Sequence, residues 1–126
     1  MPAPPDSFLT SGLVNLAPLS IAASDMATPA ANAAGTITLA AQTGFAHVIY
    51  GLYWSYAGAT VTGNLIIQDG GVTVFSVDIS AAGPGQLTFG RPIRLTPGNV
   101  GTVTLAAGGS GVTGKLNVSH ALQQTA

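Results

Sequence analysis

From Thr36 onward, polar and apolar residues trade places at every second position in a series of short runs. Thr36-Ile37-Thr38-Leu39 alternates in this way, Val103 and Leu105 alternate with Thr102 and Thr104, and Val112, Leu116 and Val118 alternate with Thr113, Lys115 and Asn117. A period of two places one side-chain set on each face of a pleated strand, so each run reads as a half-buried β-strand. Leu65-Ile66-Ile67 and the run from Val72 to Ile79 flank Gln68-Asp69-Gly70-Gly71. An Asp-Gly step between β-branched runs is a strong hairpin signal. Gly83-Pro84-Gly85, Thr96-Pro97-Gly98-Asn99 and the stretch from Ala107 to Gly111 supply further turns. The pattern amounts to about eight strands and leaves no room after residue 35 for a helix of more than one or two turns. Many short strands joined by Gly and Pro turns predict an all-β fold, an antiparallel β-sandwich of about eight strands with a jelly-roll-like arrangement. An immunoglobulin-like sandwich is the alternative.

The run from Phe45 to Tyr56 breaks the alternation. It holds all three tyrosines, the single tryptophan and one of the four phenylalanines. Counted in twos, Phe45, His47, Ile49 and Tyr53 share one face, and Val48, Tyr50, Leu52, Trp54 and Tyr56 the other. Both faces come out apolar, whereas an antiparallel sandwich buries only one. Tyr50, Tyr53, Trp54 and Tyr56 are therefore expected in the core and at a subunit interface or, on the alternative reading, on a platform where aromatic rings stack on sugars and nearby Asn or Gln bond the hydroxyls.

The first 34 residues differ in character. Pro2, Pro4, Pro5, Pro18 and Pro29 punctuate an Ala-rich stretch with no clean period, which predicts an extended arm at residues 1–34 ahead of a sandwich domain at residues 35–126. Leu13, Leu16, Leu19 and Ile21 make that arm too apolar for a solvated linker, so they are expected to dock on the domain or on a neighbouring subunit. The opening Met1-Pro2-Ala3-Pro4-Pro5-Asp6 has neither the basic region nor the apolar core of a secretory signal. On that basis the chain is expected to work without crossing a membrane.

Charge narrows the choice of partner. Only 6% of residues are charged, with three basic, four acidic and no run of either sign. Phosphate binding depends on clustered Lys and Arg, so nucleic acid is excluded as a partner, and anionic membranes are disfavoured on the same ground. A surface this poor in charge, together with a doubly apolar strand, predicts a homo-oligomer, a trimer first and a dimer next. Arg91 and Arg94, on either side of Pro92, are candidate anchors for carboxylates on a partner, and Pro92 itself belongs at a sheet edge.

Chemistry is scarce. The titratable stock is His47, His120 and the four aspartates Asp6, Asp25, Asp69 and Asp78, with no Glu and no Cys. His47 with Asp78 and a serine is the one conceivable triad, and it has no nucleophile-elbow motif. His120 reads as a surface or interface residue, and Asp69 as part of its turn. No His or Asp pair has metal-ligand spacing, and the glycines at 108, 109 and 111 lack the Lys and helix start of a phosphate loop. The expectation is a protein that is not an enzyme and holds no cofactor or metal.

Four stretches, His47-Val48-Ile49-Tyr50-Gly51-Leu52, Leu65 to Gly71, Ala81-Ala82-Gly83-Pro84-Gly85 and Gly108 to Val118, together resemble small virion proteins of tailed phages, of the capsid decoration or cement type. The resemblance runs from His47 to His120 and consists of turns and strand patterns. It implies a structural protein that decorates or cements a phage capsid as an oligomer, made in the host cytoplasm and placed on the capsid surface. Its partner would be the major capsid protein or another virion protein. The alternative is a carbohydrate-binding or tail-fibre adhesion module that uses the aromatic strand.

Overall fold

The computed structural model describes residues 20–58 and 63–125. Eight strands are present: β1 (Ser20–Ala27), β2 (Gly35–Leu39), β3 (Phe45–Ala57), β4 (Gly63–Asp69), β5 (Val72–Ile79), β6 (Gly83–Arg94), β7 (Gly101–Leu105) and β8 (Thr113–Gln124). No helix occurs among the described residues. The strands form two antiparallel four-stranded sheets in the orders β1-β8-β3-β6 and β2-β7-β4-β5.

These orders follow from a chain folded double. Gly70 and Gly71, with φ of 59° and 92°, turn β4 back onto β5, a backbone region that glycine enters without a steric penalty. From that turn outward the strands pair as β4 with β5, β3 with β6, β2 with β7 and β1 with β8. Rolling the doubled ribbon brings β3 against β8 and β4 against β7. The result is the expected jelly-roll sandwich.

Between the sheets lie Leu39, Ile49, Leu52, Leu65, Ile67, Leu95, Val103, Leu105, Leu116 and Val118, all buried. Each such side chain contributes roughly 1.5–3 kcal/mol on burial. Phe75 of β5 and Phe89 of β6 meet edge-to-face with centroids 5.2 Å apart, closing the gap between the two sheets on one flank. Tyr56 is the largest core side chain, at 2% exposure. Its ring fills the space that side chains at Gly63, Gly108 and Gly114 would need, and its hydroxyl donates to the Ala106 carbonyl. Burial raises the Tyr56 pKa above its ordinary value.

Three expectations change here. The segment expected as an arm supplies β1, paired with β8 over eight positions from Ser20↔Gln123 to Ala27↔Leu116. Gly83-Pro84-Gly85 is the start of β6 and not a turn. Pro84 is tolerated because β6 is an edge strand, where a missing N–H costs no ladder bond, and Pro92 sits on the same edge as expected. Asp69 does more than serve its own hairpin. Its carboxylate accepts from the Thr96 N–H at 2.9 Å, from Thr96 Oγ1 at 2.8 Å and from Asn99 Nδ2 at 3.0 Å, which fastens the Thr96–Asn99 turn to the end of β4.

Two outcomes are expected from this packing. Gly108→Val puts methyls into the Tyr56 ring and into Val112, since a Cβ there would already lie 2.7 Å from each; overpacking of this kind costs about 1–3 kcal/mol and should lower Tm by several degrees in a thermal melt. For Asp69, desolvation pushes the pKa up, but the bonds from Thr96 and Asn99 outweigh it and leave the carboxyl below its ordinary value of 3.8. A depressed folded pKa means that the stabilisation is complete above the unfolded value and lost as pH falls through the folded one. Asp69→Ala should therefore cost about 1–2 kcal/mol at neutral pH, and the gap between wild type and variant should close in acid below the ordinary carboxylate range, as read from denaturant midpoints across pH.

Candidate functional site

The candidate site is the outer face of the β1-β8-β3-β6 sheet, and a break in β3 creates it. Ile49 is opposite His120 on β8, but Gly51, not Tyr50, is opposite Ser119. Tyr50 is thus an extra residue, a β-bulge, and after it the two faces of the strand exchange places. On the β6 side the same break leaves Phe89 to Pro92 between Thr88↔Gly51 and Ile93↔Ile49. Counting in twos across Tyr50 therefore mixes the faces. In the folded chain Ile49, Leu52 and Tyr56 line the core with Trp54 packed against them, while Tyr50 and Tyr53 are exposed at 40% and 37%.

Directly opposite residues in antiparallel strands share a face. Tyr53 is opposite Asn117 on β8 and Gln86 on β6, and Asn117 is opposite Met26 on β1. One row of the sheet thus reads Met26, Asn117, Tyr53, Gln86, about 14 Å across at the usual strand spacing. The next row reads Ser24, Ser119, Gly51, Thr88. Tyr53 reclines onto this second row: a Cβ on Gly51 would stand 3.1 Å from the Tyr53 hydroxyl oxygen and 3.4 Å from its Cε2. A side chain at this position would press the ring away from the strand by a few tenths of an ångström.

Beyond the bulge lies a cleft of about 250 Å³ lined by Val48, Tyr50, Pro92, Arg94 and Gln123. Arg94 Nε donates to Gln123 Oε1 at 2.9 Å. Because β6 and β8 flank β3, this bond crosses over β3, with Ala46 and Val48 buried on the same face.

The expected interface residues are thereby dispersed. Tyr50, Tyr53 and Arg94 come together on the outer face, and Arg91 is exposed in the irregular stretch of β6. Trp54 is on the inner side at the sheet margin, where its indole takes the space a side chain at Gly85 would need, and Tyr56 is in the core. Leu13, Leu16 and Leu19 lie outside the described residues, and Ile21 is placed by its backbone alone, opposite Leu122. Gln86, Asn117, Gln123 and Gly51 were not singled out by sequence; Asn117 had shown only as the polar beat of an alternating strand.

The titratable groups are tied into the framework. His47 Nε2 donates to the Ala40 carbonyl at 2.7 Å. His120 is buried and not superficial as expected, with its Nε2 2.7 Å from Asp25 Oδ2, a bond that joins edge strand β1 to β8. Asp78 is on β5 of the other sheet, so no triad forms with His47. No group of three His, Cys, Asp or Glu capable of holding a metal occurs among the described residues.

No family model matches the sequence, and no curated protein matches it. Solved structures do. One is the CBM36-1 domain of a multidomain xylanase from the hindgut metagenome of Trinervitermes trinervoides, at 11% identity and TM-score 0.46, covering 82% of this chain and 96% of that one. Another is the carbohydrate-binding module CBM36 in complex with calcium and xylotriose, at 22% identity and TM-score 0.36, covering 75% and 76%. The resemblance to phage decoration proteins is corrected by this finding: both of these structures are carbohydrate-binding modules and not virion proteins. The capsid-decorating role and the virion location fall with it.

Proposed function

We propose that this chain is a non-catalytic module that binds carbohydrate on the outer face of the β1-β8-β3-β6 sheet. The observation that carries the reading is Tyr53, reclining over Gly51 with Asn117 and Gln86 directly opposite on either side. A sugar ring has an apolar C–H face and a rim of hydroxyls. A ring laid along the sheet offers area for the first, and flanking carboxamides, each with two donors and an acceptor, serve the second. Tyr50 extends the floor past the bulge, and Met26 closes the row on the β1 side. The support is this arrangement of side chains and not the fold, since one sandwich hosts many functions. A non-catalytic role agrees with the engagement of His47, His120, Asp25 and Asp69 in structural bonds.

Binding to a panel of neutral and acidic polysaccharides, followed by affinity electrophoresis or calorimetry, tests the reading. Tyr53→Ala should weaken binding tenfold or more with Tm unchanged, whereas Ser76→Ala on the opposite sheet should leave it intact. Equal binding by the wild type and Tyr53→Ala would remove the platform from the account.

Self-association has its own candidate surface. β5 is the outer strand of its sheet, with Val72 and Val74 exposed and no lysine along it. An unpaired edge of this kind is a template for a like strand from a second copy. Sedimentation velocity should show a dimer at micromolar concentration that Val74→Lys dissociates; a wild-type monomer would count against it.

A further inference from the structure

We propose that the glycan taken by this face is acidic, a polysaccharide bearing carboxylates, and that Arg94 receives the carboxylate in the cleft beside Tyr50. The inference rests on the carbohydrate reading and adds a charge class to it.

Among the described residues the charges are segregated. Its three cations all belong to this sheet, Arg91 and Arg94 on β6 and Lys115 on β8. Of the described acids, Asp69 and Asp78 are on β4 and β5 of the other sheet, while Asp25, on β1 of this sheet, shares the inner face with Val118 and is bonded to His120. In a chain with so few charges, this leaves one face with a positive field and no acid in ion-pair contact with Arg94 among the described residues.

Arg94 is also oriented. Its Nε is spent on Gln123, which holds the side chain across β3, and among the described residues both terminal nitrogens of the guanidinium remain to donate. That remaining pair is the fork that meets a carboxylate with two parallel bonds, and holding it in place beforehand reduces the entropy lost on binding. The cleft that Arg94 lines has Tyr50 and Val48 for its apolar part, so a sugar ring and the carboxylate it carries are both provided for.

The second cation is placed to continue the path. Lys115 is opposite Ser55, one row beyond the Tyr53 row, while Arg94 and Ala121 are both opposite Val48. From Lys115 to Ala121 the strand advances about 20 Å. Tyr53 and Tyr50 lie between, so a glycan running along β3 crosses an aromatic floor with a cation near each end.

The test compares binding of the full chain to polygalacturonate, to the same polymer after carboxyl reduction, to dextran sulfate and to polyglutamate. The wild type should bind polygalacturonate at least tenfold more tightly than the reduced polymer, and the difference should shrink as salt is raised. Arg94→Gln should collapse the ratio between the two polymers toward one. Arg94→Lys, which keeps the charge and removes the fork, should recover little of it, and circular dichroism with Tm confirms that both variants fold. Equal wild-type affinity for polygalacturonate and its reduced form overturns this inference and leaves the carbohydrate reading standing. Absence of binding to any polysaccharide overturns both. Binding of dextran sulfate or polyglutamate as tight as that of polygalacturonate reduces the site to charge attraction and overturns the assignment of a carboxylated glycan.

Discussion

One inserted residue governs how this sandwich can bind anything. β3 is central in its sheet, hydrogen-bonded to β8 on one side and β6 on the other, so its inner face is committed to the core along its whole length. An unbroken strand rich in Tyr, Trp and Phe would bury its aromatics on one parity and strand the rest where apolar residues have no partner. The bulge at Tyr50 resolves the conflict by changing parity midway. Leu52, Trp54 and Tyr56 then join Ile49 on the inner side, and two tyrosines are left outside, one beside the cleft and one over Gly51. The core and the candidate site are thus two consequences of the same local irregularity.

The scarcity of charge bears on how the loops are held. With three basic residues in the chain, ion-pair networks have little part in fixing the ends of the sandwich. Hydrogen bonds with neutral partners do that work. Asp69 holds the Thr96–Asn99 turn through three bonds, and Gly70 N–H donates to the Val100 carbonyl beside it. At the opposite end Tyr56 threads between Gly63, Gly108 and Gly114 to reach Ala106. The first is a small cluster in which one carboxylate meets three donors, and the second is a buried ring that ends in one bond. Either costs more to break than a surface ion pair where it leaves a buried partner unsatisfied.

The strands and the hairpin at Gly70 and Gly71 were legible in the sequence because they rest on local rules, alternation and turn chemistry. So was the jelly-roll-like class, and the edge position of Pro92. What could not be read is whatever depends on register. A bulge has no composition signature, so the period-two count across Tyr50 assigned Tyr53 and Trp54 to the wrong companions. β1 was hidden inside a proline-rich segment because, from Ser20 to Ala27, Ile21 is the one β-branched residue of the kind that marks strands. The row of Asn117, Tyr53 and Gln86 draws on three strands far apart in the chain, and only pairing brings them together.

The mistaken resemblance has the same physical root. The stretches that suggested a virion protein, such as Leu65 to Gly71 and Gly108 to Val118, are strand alternations and glycine turns, which encode how a doubled ribbon closes and nothing about what it meets. Of the residues now assigned to the face, Tyr50 and Gly51 fell within those stretches only as strand residues, and Gln86 and Arg94 fell outside them altogether. A partner is recognised by side chains on an outer face, where the fold imposes only that a residue be tolerated in water. Tyr53 over Gly51 and Arg94 held by Gln123 exceed that requirement. A ring laid over a strand glycine and a bond across β3 also steady the sheet itself, so what sets these side chains apart is their place on the outer face, where a ligand can reach them.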